Sequence, residues 1–299
     1  MTDNMRGAVY MMGSMALFTL NDTCTKLLSD HVPLTQVITL RGFLTTFVTA
    51  LIAWRMGAFR VSLTGRDWGL VITRVLAEVG IAYFFLTALF NMPLANVTAV
   101  LQSAPLAVTL AAAVFLGEPV GWRRIGAILV GFAGVLLIVQ PGSDGFNIYA
   151  IYTLIAVGFV TLRDLVTRRL SRDVPSMLVT VMTAGGVTFA FAAGSVSGAD
   201  WVALDARSTG LIGAAAITVL GAYLCSVVAI RAGEMSFVSP FRYTGLLFAL
   251  VLGFVVFGYW PDWMTLAGAA IVAASGLFML ARERKLGATP SAPPKTGRA

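Results

Sequence analysis

Ionisable side chains interrupt otherwise apolar runs at Asp22, Lys26, Arg41, Arg74, Glu78, Arg163, Asp164 and Arg242. In hydrocarbon such a group costs about 2.5–3.5 kcal/mol at a helix centre, so each is expected to face a partner or a water-filled path. Arg74 precedes Glu78 by four residues and Asp22 precedes Lys26 by four, so both spacings allow ion pairs along one helix face. Glu78 then has two readings, a proton carrier or cation ligand, or a structural partner of Arg74. Arg41 has no carboxylate at helical spacing, and its planar fork suits a substrate carboxylate or phosphate. Arg163 and Arg242 are expected about 6–8 Å from the nearer membrane surface, where they either bind substrate or reach out to water. Asp164 beside Arg163 favours pairing. The five cations against the three carboxylates Asp22, Glu78 and Asp164 leave an excess of positive charge, which suits an acidic substrate.

Polar residues recur on two further segments. Thr98 with Gln102, and Ser239 with Tyr243, are four apart and stand 141 residues from each other, giving one polar face on each helix. These faces either line a cavity or bond helix to helix. Tyr83, Tyr223 and Tyr243 could stack on a planar ligand, and Pro105 and Pro240 should free backbone carbonyls nearby. The chain offers one histidine, His31, with no metal-spaced Cys/His cluster, no phosphate-binding loop and no nucleophile elbow, so neither enzyme chemistry nor a metal or other cofactor is expected. Cys24 and Cys225 are expected as unbridged thiols near opposite faces.

The elements that must hold these groups are membrane helices. Of 299 residues 58% are hydrophobic and 12% charged, at a mean hydropathy of +0.85. A crossing needs about 20 mainly apolar residues, and the pattern recurs at about 7–28, 34–54, 68–90, 95–115, 122–140, 148–167, 176–194, 210–230, 237–257 and 263–281. Runs such as 125–139 are continuously apolar, unlike the alternation of a β-barrel strand. The first run ends in Asn21, Asp22 and Lys26 without a small-residue cleavage site, so it reads as a retained helix.

Basic residues fall on alternate loops. Arg6, Arg55, Arg60, Arg66, Arg123, Arg124, Arg168, Arg169, Arg172, Arg231 and the basic residues from Arg282 onward share one side, against Lys26 and Arg207 on the other. This asymmetry places both termini in the cytoplasm of a bacterial cell and the chain in its inner membrane, with lipid as its surroundings. It also explains the net charge of +7 without nucleic acid.

Shifting the chain by 142 residues lays DTCTKLLSDHVP (22–33) over DLVTRRLSRDVP (164–175), with Asp22/Asp164, Thr25/Thr167, Leu28/Leu170, Ser29/Ser171, Val32/Val174 and Pro33/Pro175 identical. A shift of 141 continues the match sparsely, through Gly117/Gly258 and Trp122/Trp263 among others. Five spans per half is an odd number, so the second half must enter from the opposite side. The fold expected is all-α and polytopic, ten transmembrane helices as two inverted five-helix repeats, 1–143 and 144–282, with a disordered cytoplasmic tail, 283–299. Such repeats are typical of carriers with a midplane site, with a scaffold as the alternative. Small-residue stripes, Ala127, Gly131 and Gly134 on the fifth span and Ala269, Ala273 and Gly276 on the tenth, fit packing within a monomer or a homodimer seam.

The stretch ANVTAVLQSAPLAVTLAAAVFLGEPVGWRRIGAILVGFAGVLLIV (95–139), with Gly117-Glu118 at its loop, resembles the EamA domain of the drug/metabolite transporter superfamily. Arg41-Gly42-Phe43 and the Asp22…Lys26 spacing fit the same resemblance, which covers about residues 7–281. It implies a carrier or exchanger, usually proton-coupled, for amino acids, nucleosides, vitamins, S-adenosylmethionine or similar metabolites, with amino-acid or drug export as the alternative. The second half departs from the pattern at Tyr259, which follows Gly258 where a Glu is expected, and at Thr183 opposite Arg41.

Overall fold

The computed structural model describes residues 3–61, 63–118, 120–141, 147–171, 173–196, 201–232 and 235–285. Among them every regular element is helical: α1 (Asp3–Lys26), α2 (Leu34–Arg55), α3 (Gly65–Asn91), α4 (Leu94–Leu101), α5 (Ala104–Leu116), α6 (Trp122–Val139), α7 (Tyr149–Arg168), α8 (Ser176–Val196), α9 (Ala206–Ala232), α10 (Met235–Val238), α11 (Thr244–Phe257) and α12 (Trp263–Lys285), with 3-10 turns at Ala58–Arg60 and Ser239–Tyr243. Joined across their breaks, α4 with α5 and α10 with α11, they make ten spans whose ends lie close to those read from the sequence. The segment 142–146 and most of the expected disordered tail, 286–299, lie outside the described residues.

Nine of these spans are long and apolar enough to cross a membrane, among the described residues. The tenth, α1, has 24 residues and is less apolar because it carries Asp22 and Lys26. Large apolar side chains such as Phe47, Phe189, Ile217, Leu247 and Val255 stand exposed on the outside of the bundle, as a lipid solvent allows. All six tryptophans are exposed at span ends: Trp54, Trp68 and Trp122 at one end, Trp201, Trp260 and Trp263 at the other. Two such girdles mark the headgroup levels. The first end also carries Arg55, Arg60, Arg123, Arg124, Arg168 and Arg169, and is called the basic end below.

The packing repeats between halves. The shift maps α1 onto α7, α2 onto α8, α3 onto α9 and α6 onto α12; α1 packs on α9 as α3 packs on α7, while α2 meets α8 and α6 meets α12. Where α2 crosses α8, Thr46 Oγ1 and Thr188 Oγ1 share a hydrogen bond of 3.1 Å, and the two residues are 142 apart. The turn after α5 and the turn after α11 are the same object. Gly117 and Gly258 end their helices at φ 67° and 66°, left-handed values that only glycine adopts at little cost. Glu118 N then donates to Ala112 O (3.3 Å) and Tyr259 N to Gly253 O (3.1 Å), at positions 141 apart.

The small-residue stripes serve packing within the chain. A Cβ on Gly134 would come within 2.8 Å of Gly268 O, and Gly131 lies against Ser275 and Leu106, so α6 and α12 approach backbone to backbone. The helix breaks also follow the sequence. Pro105 sits in the first turn of α5, and buried Ser103 donates through Oγ to Val100 O at 2.7 Å, satisfying a carbonyl at the break. Pro240 sits likewise in the turn before α11.

Candidate functional site

On α1 and α2 the first polar group forms at the step where Asn21 and Asp22 face Arg41. Arg41 Nη1 donates to Asn21 Oδ1 (3.0 Å) and Asn21 Nδ2 donates to Asp22 Oδ1 (2.9 Å). Asn21 is buried, and Arg41 and Asp22 attract each other directly. The spacing-based pair of Asp22 with Lys26 does not form. Lys26 Nζ donates instead to Leu89 O (2.7 Å) and Met92 O (2.6 Å), and lies 5.8 Å from the Phe257 ring centroid. The last carbonyls of α3 have no partner within their helix, and a lysine from α1 fills that vacancy.

The second group joins α3 to α7, across the two halves. Glu78 pairs with Arg163, Nη1 to Oε2 at 3.4 Å, rather than with Arg74. Arg163 Nε also holds Asp164 Oδ1 at 2.9 Å, and Arg74 Nη1 donates to Thr167 Oγ1. Arg163 therefore turns inward to a carboxylate instead of reaching for the membrane surface. By the shift, Asn21-Asp22 and Arg163-Asp164 are the same pair of positions, so each half presents an aspartate beside a guanidinium.

Tyr223 on α9 joins the two groups. It lies within electrostatic reach of Glu78, Arg163, Arg41 and Arg74, and its ring meets Phe18 edge-on at 5.2 Å. It is 45% exposed. Arg242, in the turn before α11, is exposed and lies within electrostatic reach of Asp164, Arg163 and Tyr243. No carboxylate lies within ion-pair distance of Arg242 among the described residues.

The broken spans meet beside Arg242, where Gln102 Nε2 donates to Arg242 O at 3.0 Å. Tyr243 is 7% exposed, its hydroxyl set against Gly276 without a hydrogen bond. Thr98 and Ser239 are half-buried. Tyr83 does not join the site: it shares an exposed stripe with Ile72 and Leu76, at helical spacing, on the side of α3 turned away from Arg74 and Glu78.

The site is thus four guanidiniums (Arg41, Arg74, Arg163, Arg242) and three carboxylates (Asp22, Glu78, Asp164), with Tyr223 within reach of Arg41, Arg74, Arg163 and Glu78. A net positive polar cluster between two halves can hold an acidic group and a ring. Among the described residues no group of three or more His, Cys, Asp or Glu is placed to hold a metal ion; Cys24 and Cys225 are free thiols.

One polar joint escaped the sequence reading. Asp67, 2% exposed at the basic end of α3, accepts from Thr64 Oγ1 (2.7 Å) and, from beyond α7, Ser171 N (3.2 Å) and Oγ (2.9 Å). The order Thr64-x-x-Asp67 before an apolar run is a capping-box pattern and was a readable signal.

Residues 5–140 match the EamA-like transporter family. A riboflavin transporter of Vibrio cholerae is 27% identical over 286 residues, 94% of this chain and 95% of that protein. An S-adenosylmethionine uptake transporter of Rickettsia felis is 22% identical over 284 residues, 93% and 94% of the two chains. A pseudopaline exporter of Pseudomonas aeruginosa is 24% identical over 277 residues, 90% and 93%. A crystal structure with a TM-score of 0.63 and 17% identity, covering 94% of this chain and 99% of its own, has the same fold. The family and these relatives are transporters, not enzymes.

Proposed function

We propose, taking as premise that the chain belongs to the EamA-like transporter family of small-metabolite carriers, that it moves an anionic or zwitterionic metabolite with a planar ring across the bacterial inner membrane by alternating access. The observation that carries this reading is the net-positive cluster at the seam of the halves, where Arg41, Arg74, Arg163 and Glu78 lie within electrostatic reach of Tyr223, and Arg242 within reach of Asp164 and Arg163. The two repeats, 1–143 and 144–282, are the bodies that rock, and the excess of arginine at the basic end makes that end cytoplasmic, with both termini there. Arg242, without a carboxylate of its own, takes the acidic group with Arg163. Tyr223 stacks on the ring.

Glu78 couples the cycle to protons. Its carboxylate is held by Arg163, which also holds Asp164, so protonation of Glu78 frees a guanidinium for the substrate without leaving an unpaired charge. The similarity to riboflavin and S-adenosylmethionine carriers supports a vitamin-like or nucleoside-like solute; the pseudopaline exporter supports a second reading, outward transport.

Uptake into proteoliposomes tests the proposal, with labelled riboflavin, riboflavin 5′-phosphate, S-adenosylmethionine and amino acids, with and without a pH gradient. Saturable entry of one member, faster with the gradient, is expected. Entry of none would count against a metabolite carrier of this class.

A further inference from the structure

The two ends of the bundle treat the same joint differently. At the basic end, Asp67 of the first half is bound by the backbone and side chain of Ser171 of the second. The internal repeat assigns counterparts at the other end: Thr64 to Asp205 and Asp67 to Ser208 at a shift of 141, Ser171 to Ser29 at 142. There the helix cap is kept, since Asp205 Oδ1 accepts from Ser208 N at 2.7 Å as Thr64 Oγ1 accepts from Asp67 N at 3.1 Å. The carboxylate that could bind across the halves is missing. In its place the end of α1 and the start of α9 flank a cavity of about 350 Å³, lined by Leu27, His31, Val32, Arg207 and Ser208 among others. Val32 packs there with Leu28 and Ile212 in an apolar cluster.

We propose that the Asp67–Ser171 joint is the latch that shuts the basic-end mouth, and that the cavity beside Ser208 is the opposite mouth, poised to open while the latch holds. The inference rests on the alternating-access reading above. In an inverted repeat one end closes as the other opens, so a joint that crosses the halves at one end should have a parted counterpart at the other. Hydrogen bonds to a carboxylate hold more strongly than neutral ones; beside the cavity the halves are tied instead by neutral bonds, Gln36 Nε2 to Val202 O at 2.9 Å and Val202 N to Gln36 Oε1 at 3.0 Å, together with the packing of Leu28 and Ile212. Arg207 and His31 line the cavity together with Asp205, whose carboxylate accepts from Ser208 N. The missing latch can also be built: an aspartate at Ser208 would sit in the first turn of α9, where a helix favours negative charge.

Cysteine labelling in oriented vesicles tests this in a Cys24→Ala, Cys225→Ala background. Val71→Cys and Ile212→Cys, buried and 141 apart, report the basic and the opposite mouth, and a membrane-impermeant maleimide is added from one side at a time. Asp67→Asn and Ser171→Ala should each raise labelling of Val71→Cys from the basic side, by about tenfold, and lower that of Ile212→Cys from the other. Ser208→Asp, which adds a latch rather than removing one, should shift both rates in the same directions. Unchanged rates in all three variants, or a rise at both ends, would overturn the latch. If Asp67→Asn does not fold, Ser171→Ala and Ser208→Asp carry the test. No substrate is needed, so failure here is separate from failure of the uptake assay, which bears on transport itself.

Discussion

Replacing Arg242 with alanine is expected to cut uptake of riboflavin 5′-phosphate by roughly ten- to a hundredfold while leaving uptake of riboflavin within about twofold. A hydrogen bond to a charged group contributes about 1.5–3 kcal/mol, and the two solutes differ only in the acidic group that would make it. Arg242 is the guanidinium to change because it is exposed beside Arg163 and Asp164 without a carboxylate within ion-pair distance among the described residues. Removing Arg163 would strand Glu78 and Asp164 and confuse binding with folding. The Arg242 side chain supports neither α4 nor α11, since the bond that joins them there uses its backbone carbonyl. Initial rates below saturation, measured for both solutes on the same preparation, check the prediction. Equal losses for both would remove Arg242 from the anion site.

Glu78→Gln should abolish gradient-driven accumulation. If one proton moves with each solute, one unit of pH gradient is worth about 1.4 kcal/mol, or an accumulation of roughly tenfold. Glutamine keeps the shape and one acceptor of the side chain but cannot carry the proton, so accumulation should fall to unity while exchange of internal for external solute continues. Arg163 remains neutralised by Asp164, which sits closer to it than Glu78 does, at 2.9 Å against 3.4 Å. Steady-state accumulation with the gradient imposed and then collapsed reads the effect. A variant that still accumulates solute tenfold would assign coupling elsewhere.

The architecture was legible because hydropathy over twenty residues is a one-dimensional signal, as is the repeat carried by Asp22/Asp164 and Gly117/Gly258. The breaks at Gln102 and at Tyr243 followed from proline chemistry. Partners of charged groups were not legible in the same way. Spacing sees only one helix, and it paired Glu78 with Arg74 and Asp22 with Lys26; the folded chain pairs Glu78 with Arg163 on α7 and sends Lys26 to the carbonyls ending α3. Which charges meet is decided by the rotation of neighbouring helices, and no local pattern records it. Tyr83 was misread for the same reason, since its face of α3 is set by where α7 and α8 pack. Counting residues left Arg163 and Arg242 between substrate binding and the membrane surface; in the folded chain Arg163 pairs with Glu78 and Asp164, and Arg242 lies within electrostatic reach of Asp164 and Arg163. The Asp67 joint was half legible: its cap is written in Thr64-x-x-Asp67, its reach to Ser171 is not.

The central claim is that a water-filled path between the halves passes Tyr223. Its most direct test is Tyr223→Cys in the Cys24→Ala, Cys225→Ala background, treated with a membrane-impermeant thiosulfonate from each side of oriented vesicles. Modification from both sides, slowed by the transported solute, is the predicted result. A cysteine there that only a lipid-soluble reagent can reach would contradict the account.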